Sequence, residues 1–195
     1  MSSTATAYDT PPQSPPGDLA IWIFILAELL VFAVLFVVYA MARRNNIELF
    51  NLYQLQLDRT AGLANTLVLI TSSYFVVRAV AAIREGRAML CSRWLWAAFF
   101  LGALFLLIKG AEYHHHFSMG VSLRSNDFYL FYISLTVFHF MHVIMGMVIL
   151  AAVALKAQRG GYSASEHTGV ETGASYWHMV DLVWLVLFPL VYVMH

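Results

Sequence analysis

Charged residues are scarce in this 195-residue chain, because Asp, Glu, Lys and Arg together make up only 11% of it. An ordinary soluble domain has about a quarter of its residues charged. Hydrophobic residues make up 61%, so the composition is typical of an integral membrane protein. The formal net charge is zero, which argues against the basic surface of a nucleic-acid-binding protein.

Cysteine, proline and N-terminal basic residues are also limited. The chain has one cysteine, Cys91, which excludes an internal disulfide and a thiolate cluster. No Lys or Arg precedes the first apolar run, which argues against a signal peptide or targeting presequence. Four of the five prolines lie within the first 16 residues. We therefore predict a disordered tail at 1–17, followed by one domain at 18–195.

Long apolar runs are the main feature that is present. A transmembrane helix needs about 20 mostly apolar residues, and the chain has five such runs. They lie at about 19–41, 63–83, 94–113, 128–155 and 175–195. The sequence therefore predicts an all-α membrane bundle of five transmembrane helices. The link at 42–62 is compatible with either an interfacial helix or a polar loop.

The distribution of basic residues gives a modest indication of orientation. With the N-terminus in the cytoplasm, the inner links hold five Lys or Arg residues and the outer links hold four. Cytoplasmic loops usually carry the excess of basic residues. We therefore predict a cytoplasmic N-terminus.

A few ionisable residues lie inside the apolar runs, where charge is costly and normally faces protein or water. Glu28 lies about nine residues into the first run, or roughly 14 Å along a helix. Two interpretations fit it equally, a packing carboxyl and a site for a proton or a lipid. Lys109 and Glu112 are three residues apart on the third run, which predicts a structural ion pair.

Histidines stand out in the last two runs. In "SLTVFHFMHVIMGMV", His139 and His142 are three residues apart and share a helix face. In "SYWHMVDLVW", His178 and Asp181 have the same spacing. We predict that these faces meet inside the bundle. His139 and His142 would then bond to polar groups on adjacent helices, such as His178 and Asp181.

Two other classes of protein are less favoured interpretations. A di-iron enzyme would need two Glu-x-x-His motifs, and only Glu112-x-x-His115 is present. A haem held between His142 and His178 would require the two side chains to face each other. A small transporter would usually show internal repeats or helices broken near their middle.

The five runs, taken in order, resemble subunit III of the haem–copper oxidases. The similarity lies in "GDLAIWIFILAELLVFAVLFVVYA", "GLANTLVLITSSYFVVRAV", "LLIKGAEY", "SNDFYLFYISLTVFHFMHVIMGM" and "SYWHMVDLVWLVLF". The mitochondrial-type subunit has seven spans, so the chain resembles a five-helix form. The stretches "ELFNLYQLQLDRTAGLANTLVLITSSYFVVRAV" and "SNDFYLFY", with Lys109 before Glu112, favour the accessory protein of nitric oxide reductase (NorE type) and a link to denitrification. Subunit III of a bacterial cytochrome c or quinol oxidase is the alternative.

The resemblance implies an accessory subunit of a respiratory complex, without a catalytic residue or metal of its own. It would stabilise a haem-bearing catalytic subunit, bind phospholipid and influence proton uptake nearby, in the bacterial cytoplasmic membrane. Haem, with copper or non-haem iron, would belong to the partner. The residues implied in buried polar, lipid or subunit contacts are Glu28, Asn65, Thr66, Lys109, Glu112, His139, His142, Tyr176, Trp177, His178, Asp181 and Trp184.

Overall fold

The computed structural model describes residues 17–194, and it is helical with short connections. The predicted tail at 1–17 lies outside the described residues, apart from Gly17. The helices are α1 (Leu19–Asn45), α2 (Ile47–Gln54), α3 (Arg59–Arg84), α4 (Ala88–Ser118), α5 (Asp127–Gln158) and α6 (Thr168–Phe188), the last continued by a π-helical turn (Pro189–Val193).

Five of the described helices are long and apolar enough to cross a membrane, which confirms the predicted class. They extend beyond the apolar runs, and polar side chains cap the starts of three of them, α1, α3 and α5. Asp58 accepts hydrogen bonds from the backbone N–H groups of Thr60 and Ala61 at 2.9 and 3.0 Å, and so starts α3. The link at 42–62 contains a helix, α2, rather than only a polar loop, and α2 buries Phe50 and Gln54.

The core is a square of four helices. Helix α3 packs against α4, α4 against α5, α5 against α6, and α6 against α3. Helix α1 lies outside this square against α6 and α5, and only three of its 27 residues are buried. These residues are Ile25, Phe32 and Tyr39, spaced seven apart, so α1 attaches along one narrow stripe.

Glycines allow a large side chain to fill the centre of the square. A Cβ atom on Gly102 of α4 or on Gly146 of α5 would lie 2.8 Å from the ring of Trp177. The indole ring of α6 therefore fits only because both neighbours lack a side chain. This use of small residues for close helix packing is common in membranes.

The last helix changes its winding at Pro189. Proline has no backbone N–H, so a regular α-helical hydrogen bond is lost there. The chain continues as one π-helical turn, with the N–H of Met194 donating to the carbonyl oxygen of Pro189 at 2.9 Å. This continuation brings Tyr192 into the core, where it is fully buried.

Candidate functional site

Lys109 is the centre of a buried polar cluster between α4, α5 and the end of α6. Its side chain is fully buried, and its ammonium group lies 3.1 Å from a carboxylate oxygen of Glu112. This contact confirms the ion pair predicted from their spacing. The ammonium also donates to the hydroxyl oxygens of Tyr132, at 3.0 Å, and of Tyr192.

Tyr132 and Tyr192 each bond to both members of the Lys109–Glu112 ion pair. Each accepts a hydrogen bond from Lys109, and each donates its own hydroxyl to Glu112 Oε1, the Tyr192 bond being 2.7 Å long. The ammonium also lies 4.8 Å and 5.0 Å from the ring centres of Tyr132 and Tyr192. Such extra contacts are what a buried ion pair needs to offset its desolvation.

A cavity of about 490 Å³ opens next to this cluster, at the end of the bundle where α2 lies. Polar groups of Gln56, Asp58, Glu112, His115 and His116 are among its lining. Three consecutive histidines, His114, His115 and His116, lie near the end of α4 beside this cavity. His114 and His115 are exposed, but His116 is buried against the rings of Tyr129 and Tyr132, because it lies on the inner face of α4.

His142 joins α5 to α1. Its Nε2 atom lies 3.0 Å from a carboxylate oxygen of Glu28, and its Nδ1 atom lies 2.8 Å from the carbonyl oxygen of Phe138. A carbonyl only accepts, so we assign the Nδ1 atom as the protonated one. One further proton must then lie between Nε2 and Glu28, on either group, for this bond to form.

The predicted pairing of the two α5 histidines with His178 and Asp181 is wrong. His142 turns to Glu28 because α1 covers that side of α5. His139 is fully buried against Phe105 and Trp184, with ring centres 5.8 and 5.2 Å away. Neither of its ring nitrogens has a hydrogen-bond partner among the described residues.

His178 and Asp181 instead form a trio with Ser73 of α3. The Ser73 hydroxyl donates to Asp181 Oδ2, and its oxygen lies 2.6 Å from His178 Nδ1. The single hydroxyl proton is used for the carboxylate, so His178 Nδ1 is the donor in the second contact. The trio faces outward, since the His178 side chain is 38% exposed and that of Asp181 is 13% exposed.

Two of the remaining predicted residues, Trp184 and Tyr176, donate hydrogen bonds from α6 to neighbouring helices. Trp184 donates its indole N–H to Thr66 Oγ1 at 3.0 Å, and Thr66 donates to the carbonyl oxygen of Gly62 at 2.9 Å. Tyr176 donates to the carbonyl oxygen of His142 at 3.4 Å. Asn65 and Trp177 are also buried, but the side-chain amide of Asn65 and the indole N–H of Trp177 have no hydrogen-bond partner among the described residues.

Sequence reasoning missed Tyr132 and Tyr192 and treated Ser73 only as part of a motif. One signal was available for the tyrosines, because a tyrosine hydroxyl that is buried within an apolar run needs a polar partner. Their partner, Lys109, could not be assigned without knowing which helix faces meet.

The donor geometry does not favour the metal alternatives. Within residues 17–194, no three His, Cys, Asp or Glu side chains are placed to hold one metal ion. Glu112 turns toward Lys109, whereas His115 is exposed. His142 faces Glu28 and His178 faces Ser73, so they do not form an axial pair for a haem.

Comparison with known proteins identifies the family of this chain. The family model described as cytochrome c oxidase subunit III matches residues 16–195. The chain belongs to this family. This membership confirms the resemblance to subunit III of the haem–copper oxidases.

Named members of the family cover the chain almost completely. The cytochrome c oxidase subunit 3 of Thermostichus vulcanus is 32% identical over 193 residues, which is 98% of this chain and 94% of the relative. That of Synechocystis sp. is 30% identical over 207 residues, covering 100% and 88%. The cytochrome bo(3) ubiquinol oxidase subunit 3 of Buchnera aphidicola is 25% identical over 178 residues, covering 88% and 83%.

These relatives are named as oxidase subunits. They therefore favour subunit III of a cytochrome c or quinol oxidase over the accessory protein of nitric oxide reductase. The preference for the nitric oxide reductase branch, and with it denitrification, finds no support among them. The stretches that favoured that branch serve the packing of the bundle. Lys109 belongs to the buried cluster, and "ELFNLYQ" forms most of α2.

Proposed function

We propose that this chain is the non-catalytic subunit III of an oxygen-reducing haem–copper oxidase in the bacterial cytoplasmic membrane. One observation carries the proposal: relatives that match nearly the full chain are named subunit 3 of cytochrome c or ubiquinol oxidases. The partner is a catalytic subunit that holds haem and copper, and this chain contributes no redox centre.

The proposed role is to stabilise the catalytic subunit and to hold phospholipid beside it. The square of helices supports the first part, because its polar side chains are tied across helices by the Lys109 cluster and by the Thr66–Trp184 bond. Helix α1 supports the second part, because its exposed residues are almost all apolar and it leaves much of its surface to lipid.

Glu28 is the proposed polar contact for lipid at the junction of α1 and α5. Its side chain is 21% exposed and bonds to His142, which is 11% exposed. The pair shares a proton at mid-membrane depth, so it is also the proposed point at which this subunit influences proton uptake nearby.

The test is a mild-detergent purification of the tagged chain from its native membranes, with a visible spectrum, metal analysis and turnover assays. We expect a separate haem-bearing subunit, copper and consumption of oxygen. Non-haem iron without copper, together with nitric oxide turnover, would return the chain to the nitric oxide reductase branch. A colourless preparation without a partner in several mild detergents would overturn the subunit assignment.

A further inference from the structure

We propose that the α3–α6 face, defined as the groove between these helices that reaches from Arg84 and Glu171 to His178, docks a transmembrane helix of the catalytic subunit. The docked helix presents a hydrogen-bond donor to His178. This inference rests on the proposed function, because it names the face through which the subunit binds its partner.

The depth of the trio is the first observation. His178 lies ten residues into α6 and Ser73 lies fourteen into α3, or about 15 and 21 Å along helices that rise 1.5 Å per residue. Both positions are close to the middle of spans of 26 residues. Hydrocarbon at that depth offers no hydrogen bonds, so an outward polar side chain normally faces protein or an internal cavity.

The hydrogen-bond pattern of the trio is the second observation. Ser73 donates its hydroxyl proton to Asp181, and His178 donates its Nδ1 proton to Ser73. A neutral imidazole then has a lone pair on Nε2, and no described residue bonds to that atom. The side chain is 38% exposed, so a donor from outside can reach it. Lipid tails carry no such donor, whereas Ser, Thr, Asn, Gln or Trp of a helix does.

The other outward polar group at this depth differs from the trio. Glu28 and His142 bond to each other across α1 and α5, and the second nitrogen of His142 is taken by Phe138. Nearer the membrane surface, Arg78 donates to the hydroxyl of Tyr74 at 3.1 Å. Among these groups His178 is the most open at mid-membrane depth, because its side chain is 38% exposed, against 21% for Glu28 and 11% for His142.

The shape of the face fits a helix. Val77, Val80, Ala81 and Ala174 line a groove of about 250 Å³ between α3 and α6. The small side chains of the two alanines permit a close approach of another backbone. An ion pair of Arg84 with Glu171, at 2.7 Å, ends the groove toward the end where α1 begins. A docked helix therefore meets apolar walls, one acceptor in the middle and charge at the membrane surface.

Site-specific photo-cross-linking in the intact complex tests the face. A photoreactive residue replaces Val77, which is 52% exposed in the groove, or Leu107, which is 70% exposed on α4. Helix α4 packs between α3 and α5, as α6 does, so Leu107 lies across the square from the groove. We expect a cross-link to the catalytic subunit from position 77 and none from position 107.

The proposed docking face would be contradicted if position 77 formed cross-links only to lipid, to a second copy of the chain or to another small subunit. An equal cross-link from position 107 would also contradict it. In each of these cases the catalytic subunit still co-purifies with the tagged chain, so the proposed function stands while the docking face fails. If no haem-bearing subunit co-purifies with the unmodified chain, the proposed function itself fails.

Two variants at position 178 test the proposed hydrogen bond from the docked helix to His178. We expect His178→Leu to lower the haem recovered per tagged chain by about three- to tenfold, the range of one hydrogen bond between membrane helices. His178→Gln keeps an acceptor and should restore most of the recovery. Circular dichroism and the melting temperature of each purified variant exclude misfolding as the cause. Equal recovery from both variants, in folded protein, would overturn the role of His178.

Discussion

At the scale of single residues, Lys109 shows how a charge is tolerated within a membrane span. Its ammonium has a carboxylate and two hydroxyls within hydrogen-bond reach, and no part of it is exposed. The cluster is therefore strongly interdependent, since Lys109 and Glu112 each bond to the other and to both tyrosines. Removing one partner leaves the opposite charge buried and unpaired, which is more costly than removing both.

We predict that Lys109→Met lowers the free energy of unfolding by about 3–5 kcal/mol, because it leaves Glu112 as an uncompensated buried carboxyl. The double variant Lys109→Met with Glu112→Leu should recover a large part of this loss. Thermal unfolding of the purified protein in detergent measures both. Additive losses from the two substitutions would contradict the coupling between them.

Glu28 and His142 lead to a more local prediction. His142→Phe keeps the ring volume but removes the mid-membrane bond to Glu28, so α1 should detach more readily from α5. We expect a cost of about 1 kcal/mol, in the range measured for hydrogen bonds between membrane helices. Hydrogen exchange should rise in α1 while that of α3 and α4 stays unchanged. A uniform rise, or no change in α1, would show that the bond does not hold this helix.

At the scale of helices, the spacing between α4, α5 and α6 is set by the ring of Trp177. Gly102 and Gly146 contact it from two sides, and a Cβ on either would come within 2.8 Å of the ring. By contrast, Gly110 of α4 has no atom within 4 Å of the position that a Cβ would take. The three positions form a matched set, because each lies inside a long helix.

We predict that Gly146→Ala lowers the free energy of unfolding by about 1–3 kcal/mol, because the helix must move or the ring must leave its position. Gly110→Ala should be neutral or stabilising by about 0.5–1 kcal/mol, since alanine loses less chain entropy than glycine in a helix. Melting temperatures of the two variants make the comparison. Similar values would mean that the Trp177 contact is not tight.

At the scale of the whole molecule, five spans place the two chain ends on opposite sides of the membrane. The connection at Arg124 and the connection at Arg159 then also lie on opposite sides, and both residues are exposed. The one natural cysteine, Cys91, is buried and contributes little background to a labelling experiment. The orientation of the chain in the membrane can therefore be determined by cysteine labelling at positions 124 and 159.

With the N-terminus in the cytoplasm, we predict that Arg124→Cys reacts with a membrane-impermeant maleimide in intact spheroplasts. Arg159→Cys should react only after the membrane is disrupted. The excess of basic residues in the inner links, five against four, is the reason for this direction. The reverse labelling pattern would invert the proposed orientation and move the cavity beside His116 to the cytoplasmic side.

The sequence by itself determined the class of protein and the positions of the five spans, because the cost of exposing polar groups to hydrocarbon acts on each segment separately. The Lys109–Glu112 pair was predictable for a similar reason, since both residues lie on one helix. Partners across helices were decided only by the tertiary structure. The same imidazole at position 142 bonds to Glu28 rather than to Asp181 because α1, not α6, covers that face of α5. Helix periodicity places a side chain on a face, but the packing of the bundle decides what that face meets.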